Sequence, residues 1–213
     1  MHRKPKSYTG IHNLRMQYAQ HREAIRQRLN DFASVKPNEY FYELVYCLLT
    51  PQSSAVNAGK AVEALRAGGF PEKDIDVAAI LFRKQHYIRF HNTKARRLKE
   101  LHSMREEVLV TLSNGMPAVE LRKWLTKKVK GLGWKEASHF LRNIGHRNLA
   151  ILDRHILKNL TKHHVIRSVP ATLTAKRYLD IERKFKAFAD TINISMDELD
   201  LLFWSNETGQ MLK

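Results

Sequence analysis

The sequence predicts an all-α protein, on three observations. Apolar residues recur at three- and four-residue spacing in one segment after another. No stretch alternates apolar and polar residues as a half-buried strand would, and no repeat of fixed period appears. The helical stretches are punctuated by glycine, proline and asparagine where helices are expected to stop.

In chain order, Met1 to Lys6 is a basic, proline-containing lead-in that reads as a tail. From Ile11 to Phe32, Leu14, Tyr18, Ile25, Leu29 and Phe32 fall at helical spacing. Pro37 ends that region, and Asn38 is the expected cap of a second helix, about Glu39 to Leu49, whose aromatic and aliphatic run predicts deep burial. Pro51 then breaks the chain, and Ser53 or Ser54 can cap a helix reaching Leu65. Gly68 to Pro71 is a break, followed by a short helix over Asp76 to Phe82. Asn92 or Thr93 is the expected cap of one helix running through Thr111, with Leu98, Leu101, Met104 and Val108 inward. Its basic residues Lys94, Arg96, Arg97 and Lys99 read as a solvated face, with phosphate contact as the alternative.

Gly115 to Pro117 is a further stop, and Val119 to Lys128 forms a helix with Leu121, Trp124 and Leu125 on one face. After it comes Lys130-Gly131-Leu132-Gly133, then a helix from Trp134 through Ala137, Phe140 and Leu141, closed by Gly145. Two helices joined by a Gly-apolar-Gly turn make a helix-hairpin-helix over about residues 119–145. Its turn amides and the start of its second helix offer N–H groups to an anion. Lys130, Gly131 and Gly133 are the candidate backbone-phosphate contacts. Asp153 is the expected N-cap of a helix over Arg154 to Val165. Two more helices follow, about Thr172 to Thr191 and Met196 to Trp204. His163 and His164 read as non-functional, since no ligand set with zinc spacing accompanies them.

Composition narrows the function. Thirty-seven Lys and Arg against twenty-one Asp and Glu give a net charge of +16, a field that draws in a polyanion. Charge alone also fits a ribosomal or membrane-surface protein; the hairpin favours DNA. No apolar run approaches the ~20 residues of a membrane span, so an intracellular protein is expected. The single cysteine, Cys47, excludes a disulfide within the chain and a four-cysteine iron–sulfur cluster.

The residues GLGWKEA followed by LDRH resemble the helix-hairpin-helix DNA glycosylase superfamily, in its 8-oxoguanine branch, whose pattern is Gly-x-Gly-x-Lys-x-Ala and then Val/Leu-Asp-x-His. The ending FWSNETGQMLK resembles the compact second type, found mainly in archaea and some bacteria, which implies a prokaryotic cytoplasm or nucleoid. The resemblance covers most of the chain and is weaker before residue 40. It implies a two-lobed fold: a central helical barrel over about residues 38–147, and a second lobe from residues 1–37 and 148–213, with the active cleft at their junction. By the same resemblance Lys135 matches the nucleophilic lysine, Asp153 the catalytic aspartate and His155 the histidine that follows it. Gln52 matches the wedge that fills the gap left by an extruded base, and Phe90 and Trp204 are candidate stacking walls. The same resemblance implies that the chain's end approaches the base, making Lys213 a candidate contact. The implied partner is double-stranded DNA containing 8-oxoguanine, bound by a monomer, with no metal cofactor beyond a monovalent cation that the hairpin turn could hold.

The chemistry fits those residue types. Breaking C1′–N9 builds positive charge on the sugar, so an anion is needed beside it, and Asp153 suits that role. An amine that captures C1′ gives a ring-opened Schiff base from which β-elimination cuts the strand, and Lys135 suits that one. An ordinary lysine, with a pKa near ~10.4, is protonated at neutral pH, so the site must generate free amine by burial, positive surroundings or local proton transfer. Two rival readings remain open on the residues: a non-catalytic helix-hairpin-helix DNA-binding module, and the same fold acting on another oxidised base.

Overall fold

The computed structural model describes residues 8–209. They form helices joined by turns, with no strand among the described residues. The chain divides into two compact units: Ser34–Ile144, and the residues up to Ala33 together with those from Gly145 onward.

The contiguous unit contains α2 (Tyr40–Leu49), α3 (Ala55–Ala67), α4 (Val77–Phe82), α5 (His91–Ser103), α6 (Arg105–Ser113), α7 (Ala118–Lys128) and α8 (Trp134–Asn143). At its centre is α2, buried along nearly its whole length from Phe41 to Leu49. It packs against α3, α5 and α8, while α7 lies against α8. Burying each large side chain here contributes about 1.5–3 kcal/mol. Buried polar side chains meet one another inside this core: Asn143 Nδ2 donates to Glu43 Oε2 at 3.1 Å. Arg122, fully buried in α7, donates to Ser138 Oγ at 3.1 Å and lies over the Trp134 ring at 4.9 Å, tying the two hairpin helices together.

The other unit is built from α1 (Ile11–Ala33), α9 (Arg154–Lys162), α10 (Ala175–Ile192) and α11 (Met196–Thr208). Leu14, Ile25, Leu29 and Phe32 form the buried stripe of α1, which packs on α11. Glu198 joins those helices: it completes a capping box with Ser195 and accepts a 2.6 Å bond from the Tyr18 hydroxyl. His163 stacks between Phe188 and Phe203 and shares a 2.7 Å hydrogen bond with the Thr9 carbonyl, so it is a core residue, in keeping with its non-functional reading. Gly145 has φ +93°, and a Cβ there would sit 2.9 Å from the Ala33 Cα, so the position requires glycine.

Several boundaries differ from the expectations. Asn38 does not cap α2; Pro37–Glu39 form a 3₁₀ turn instead, and Glu39 holds the cap position without a side-chain capping bond, its carboxylate pairing with Arg66. Asn92 and Thr93 lie inside α5, whose cap position is taken by Phe90 in the left-handed region at φ 61°. The single helix expected through Thr111 is two, broken at Met104, whose N–H turns back to Leu101. The break directs Arg105 onto Glu72 at 2.9 Å and over the Phe41 ring at 5.2 Å. No glycine or proline marks it, which is why periodicity missed it. α9 stops at Lys162 because His164, at φ 59°, turns the chain so that Val165 N–H reaches the Leu160 carbonyl. The expected tail, Met1 to Lys6, lies outside the described residues.

Candidate active site

The hairpin turn forms between α7 and α8 as the Gly-Leu-Gly spacing requires. Leu132 is buried beneath the turn, its N–H bonded to the Val129 carbonyl at 3.1 Å. Gly131 has φ +89°, and a Cβ on it would fall 2.6 Å from Arg97 Cδ. The Arg97 side chain therefore lies directly against the turn, adding a cation that sequence reading left on a solvated face. Lys130 is 77% exposed along its side chain and 3.4 Å from Glu100. Gly133 takes the cap position of α8 with extended backbone, and a Cβ there would come within 2.9 Å of Glu136 Oε2.

Lys135 is the second residue of α8, its side chain 28% exposed, with Nζ 3.3 Å from Glu136 Oε1. Neighbouring residues on a helix do not ordinarily face each other. Here the space left by Gly133 lets Glu136 fold back over the helix start, where an N3 glutamate is favoured. Glu136, in contact with Lys135, is a residue that the sequence reading passed over. An acid at the third helical position after a bare glycine cap was the available signal.

Gln52 and Phe90 are brought together in this same unit. Both are exposed, Phe90 by 50%, and both are non-glycine residues with left-handed backbone, at φ 56° and 61°. Their two turns are bonded to each other, with Arg89 N–H donating to Ser53 Oγ at 3.0 Å and Asn57 Nδ2 to the Tyr87 carbonyl at 3.2 Å. The Arg89 guanidinium lies 4.9 Å from the Phe90 ring centre. Of the two serines offered as caps, Ser54 caps α3 and Ser53 makes this cross-link.

Asp153 caps α9 in the other unit. One carboxylate oxygen, Oδ1, accepts from His155 N–H and Ile156 N–H, both at 2.8 Å. Among the described residues Oδ2 makes no hydrogen bond, so one oxygen of a half-buried carboxylate stays available. His155 Nδ1 lies 3.7 Å from Glu207 Oε2, which Lys158 also contacts at 3.1 Å. The Lys158 ammonium holds the Glu207 carboxyl below the usual carboxylate range, against a smaller opposing effect of burial. Trp204 is half-buried on α11, next to fully buried Phe203. Lys213 lies outside the described residues. No group of three or more histidine, cysteine or acidic side chains that could hold a metal ion occurs among them, and no helix among them is long and apolar enough to cross a membrane.

A family model described as 8-oxoguanine DNA glycosylase matches residues 25–194, a span that contains the hairpin, Lys135 and Asp153. The chain belongs to the 8-oxoguanine DNA glycosylase family. A relative from Fusobacterium nucleatum, an 8-oxoguanine DNA glycosylase/AP lyase, is 41% identical over 203 residues, covering 88% of this chain and 90% of that one. One of the same name from Korarchaeum cryptofilum is 38% identical, covering 94% and 95%. Among solved structures, the Methanocaldococcus jannaschii 8-oxoguanine glycosylase/lyase in complex with a 15mer DNA containing 8-oxoguanine has a TM-score of 0.84 at 29% identity, covering 95% of this chain and 99% of that one. The Thermotoga maritima 8-oxoguanine DNA glycosylase gives a TM-score of 0.83 at 29% identity, covering 95% and 98%. An all-α helix-hairpin-helix protein of this family is therefore what the sequence describes, and the resemblance drawn from GLGWKEA and LDRH holds.

Proposed function

We propose that this protein excises 8-oxoguanine from double-stranded DNA and cuts the strand at the resulting site, with Lys135 as nucleophile and Asp153 as the stabilising anion. The observation that carries the reading is Lys135 itself: a partly exposed amine on the second residue of the hairpin's second helix, 3.3 Å from a carboxylate, inside the span that matches the family.

In this reading the hairpin turn, with Lys130 and Arg97 beside it, grips the DNA backbone through amides and cations. The target nucleotide leaves the stack at a cost of a few kcal/mol. Gln52 enters the gap, and Phe90 and Trp204 stack on bases. Glu136 accepts a proton from the Lys135 ammonium, and the freed Nζ forms a bond to C1′ as the C1′–N9 bond breaks and the base departs with the electron pair. Asp153, through its unengaged oxygen, stabilises positive charge on the sugar while this happens. Ring opening gives a Schiff base; loss of the C2′ proton then expels the 3′ phosphate, and water releases the enzyme. In this reading the chain acts as a monomer.

Borohydride reduction tests the reading. A duplex carrying 8-oxoguanine should give a covalent adduct with the native protein and none with Lys135→Gln, which should still bind the lesion. Binding without any adduct would indicate a DNA-binding module. An adduct with thymine glycol but not with 8-oxoguanine would indicate another lesion class.

A further inference from the structure

Lys94 is the most deeply buried lysine of the chain's described residues, 3% exposed on α5, in a helix whose neighbouring Arg96 and Lys99 are exposed. A buried ammonium is costly unless its protons are matched. All three are: Nζ donates to the Leu49 carbonyl at 2.7 Å, the Pro51 carbonyl at 2.7 Å and Ser53 Oγ at 3.3 Å. Every partner is a neutral oxygen. Burial, and more weakly the nearby Arg97 cation, lower Lys94 to about 8.

The acceptors define what this lysine does. Leu49 ends α2 and Pro51 and Ser53 bracket Gln52, so the ammonium holds two backbone carbonyls before the exposed glutamine and the serine hydroxyl after it. At its other end, Lys94 N–H bonds to the Phe90 carbonyl at 3.0 Å, and Ser53 Oγ also receives Arg89 N–H at 3.0 Å. One residue thus joins the two turns that present Gln52 and Phe90. Both of those residues hold left-handed backbone, at φ 56° and 61°. That conformation costs an ordinary side chain on the order of 1–2 kcal/mol and persists only when its surroundings enforce it. Among the described residues the other non-glycine positions with positive φ are two asparagines and a histidine, types that tolerate the region more readily.

We propose that Lys94 is a positioning residue for base extrusion: its buried ammonium locks the turns of Gln52 and Phe90 into the strained arrangement in which Gln52 fills the gap left by the extruded base and Phe90 stacks on that base. The inference rests on the reading of Gln52 as the wedge and of Phe90 as a stacking wall for the extruded base. It assigns the buried lysine to specificity for a stacked, paired lesion rather than to the chemistry on the sugar.

The test compares two substrates. On a duplex with paired 8-oxoguanine, single-turnover excision and the fluorescence rise of an adjacent 2-aminopurine report extrusion. On a duplex with a preformed abasic site, strand cleavage reports Lys135 chemistry with no base to extrude. Lys94→Met should slow excision and the fluorescence rise by about 10-fold relative to abasic cleavage, since extrusion costs a few kcal/mol that the tips must offset. Ser53→Ala, which removes the acceptor shared by Lys94 and Arg89, should move the same ratio in the same direction by about 3-fold. It carries the test if Lys94→Met does not fold. Equal slowing on both substrates, or a ratio unchanged in either folded variant, would overturn the proposal. Phe90→Ala separates the two levels. If it leaves the fluorescence rise intact, the reading of Phe90 itself fails; if it slows the rise and Lys94→Met does not, only the role of Lys94 fails.

Discussion

Replacing Asp153 separates its two duties, because the structure shows how one of them is performed. Oδ1 alone accepts both first-turn N–H groups of α9, at 2.8 Å each. Asp153→Asn keeps an acceptor oxygen in that place and loses only the charge, which at a helix N-terminus is worth about 0.3–1 kcal/mol. Asp153→Ala loses the cap as well, about 0.5–2 kcal/mol. For a chain of this size 1 kcal/mol moves the melting temperature by roughly 2–4 °C, so Asn should melt within about 4 °C of native and Ala below Asn. Catalysis should order differently. A unit charge ~4 Å from a sugar cation, at an effective dielectric constant near ~20, is worth about 4 kcal/mol, or roughly 10³ in rate. Both variants should therefore lose about 10³-fold in single-turnover excision, with lesion binding within about threefold of native. Excision by Asp153→Asn within tenfold of native, or rates that follow the melting temperatures, would refute the electrostatic role and leave Asp153 as a cap.

Three other outcomes follow from the geometry. Gly131→Ala places a Cβ where backbone is left-handed and Arg97 already lies; it should weaken binding to any duplex about 10-fold in a salt-dependent titration, whether or not the lesion is present. Burial alone would raise the Glu198 carboxyl, but hydrogen bonds from Tyr18, Ser195 and Arg26 hold it below its ordinary 4.5. Its stabilisation is therefore present above about pH 4.5 and lost as pH falls through the lower folded value. The melting-temperature gap between native protein and Glu198→Gln should close in acid. At Lys94 the shift is a cost: with a folded value of about 8 against an ordinary 10.5, the unfolded chain holds the extra proton between them. Stability relative to Lys94→Met should thus rise across about pH 8 to 10.5, by at most about 3 kcal/mol in denaturant titrations.

The all-α fold was legible because apolar spacing at Leu14, Ile25, Leu29 and Phe32, or along α10, is set by the helix period and survives without coordinates. The hairpin was legible for a similar reason, since only glycine suits φ +89° at Gly131. Asp153 as cap followed from side-chain chemistry that acts within three residues. What escaped depends on contacts far apart in sequence. Lys94 and Arg97 read as a solvated charge run or a phosphate contact, yet Lys94 is buried against carbonyls of residues 49 and 51 and Arg97, half-buried, lies against Gly131. Periodicity does not reveal which lysine on a basic face turns inward to neutral oxygens. Arg122 was hidden in the same way, its burial depending on Ser138 and Trp134 across the hairpin. The α5–α6 break is accompanied by the pairing of Arg105 with Glu72, again a contact far apart in sequence. Phe90 was expected to be structural or stacking; its left-handed backbone could not be foreseen, because that conformation is imposed on phenylalanine by its neighbours.

The most direct measurement is mass-spectrometric mapping of the borohydride-reduced adduct formed on an 8-oxoguanine duplex. The account predicts a single cross-linked peptide spanning α8, with the reduced sugar remnant on Lys135 Nζ, and no adduct in Lys135→Gln. A remnant on any other lysine, or an undiminished adduct in that variant, would contradict it.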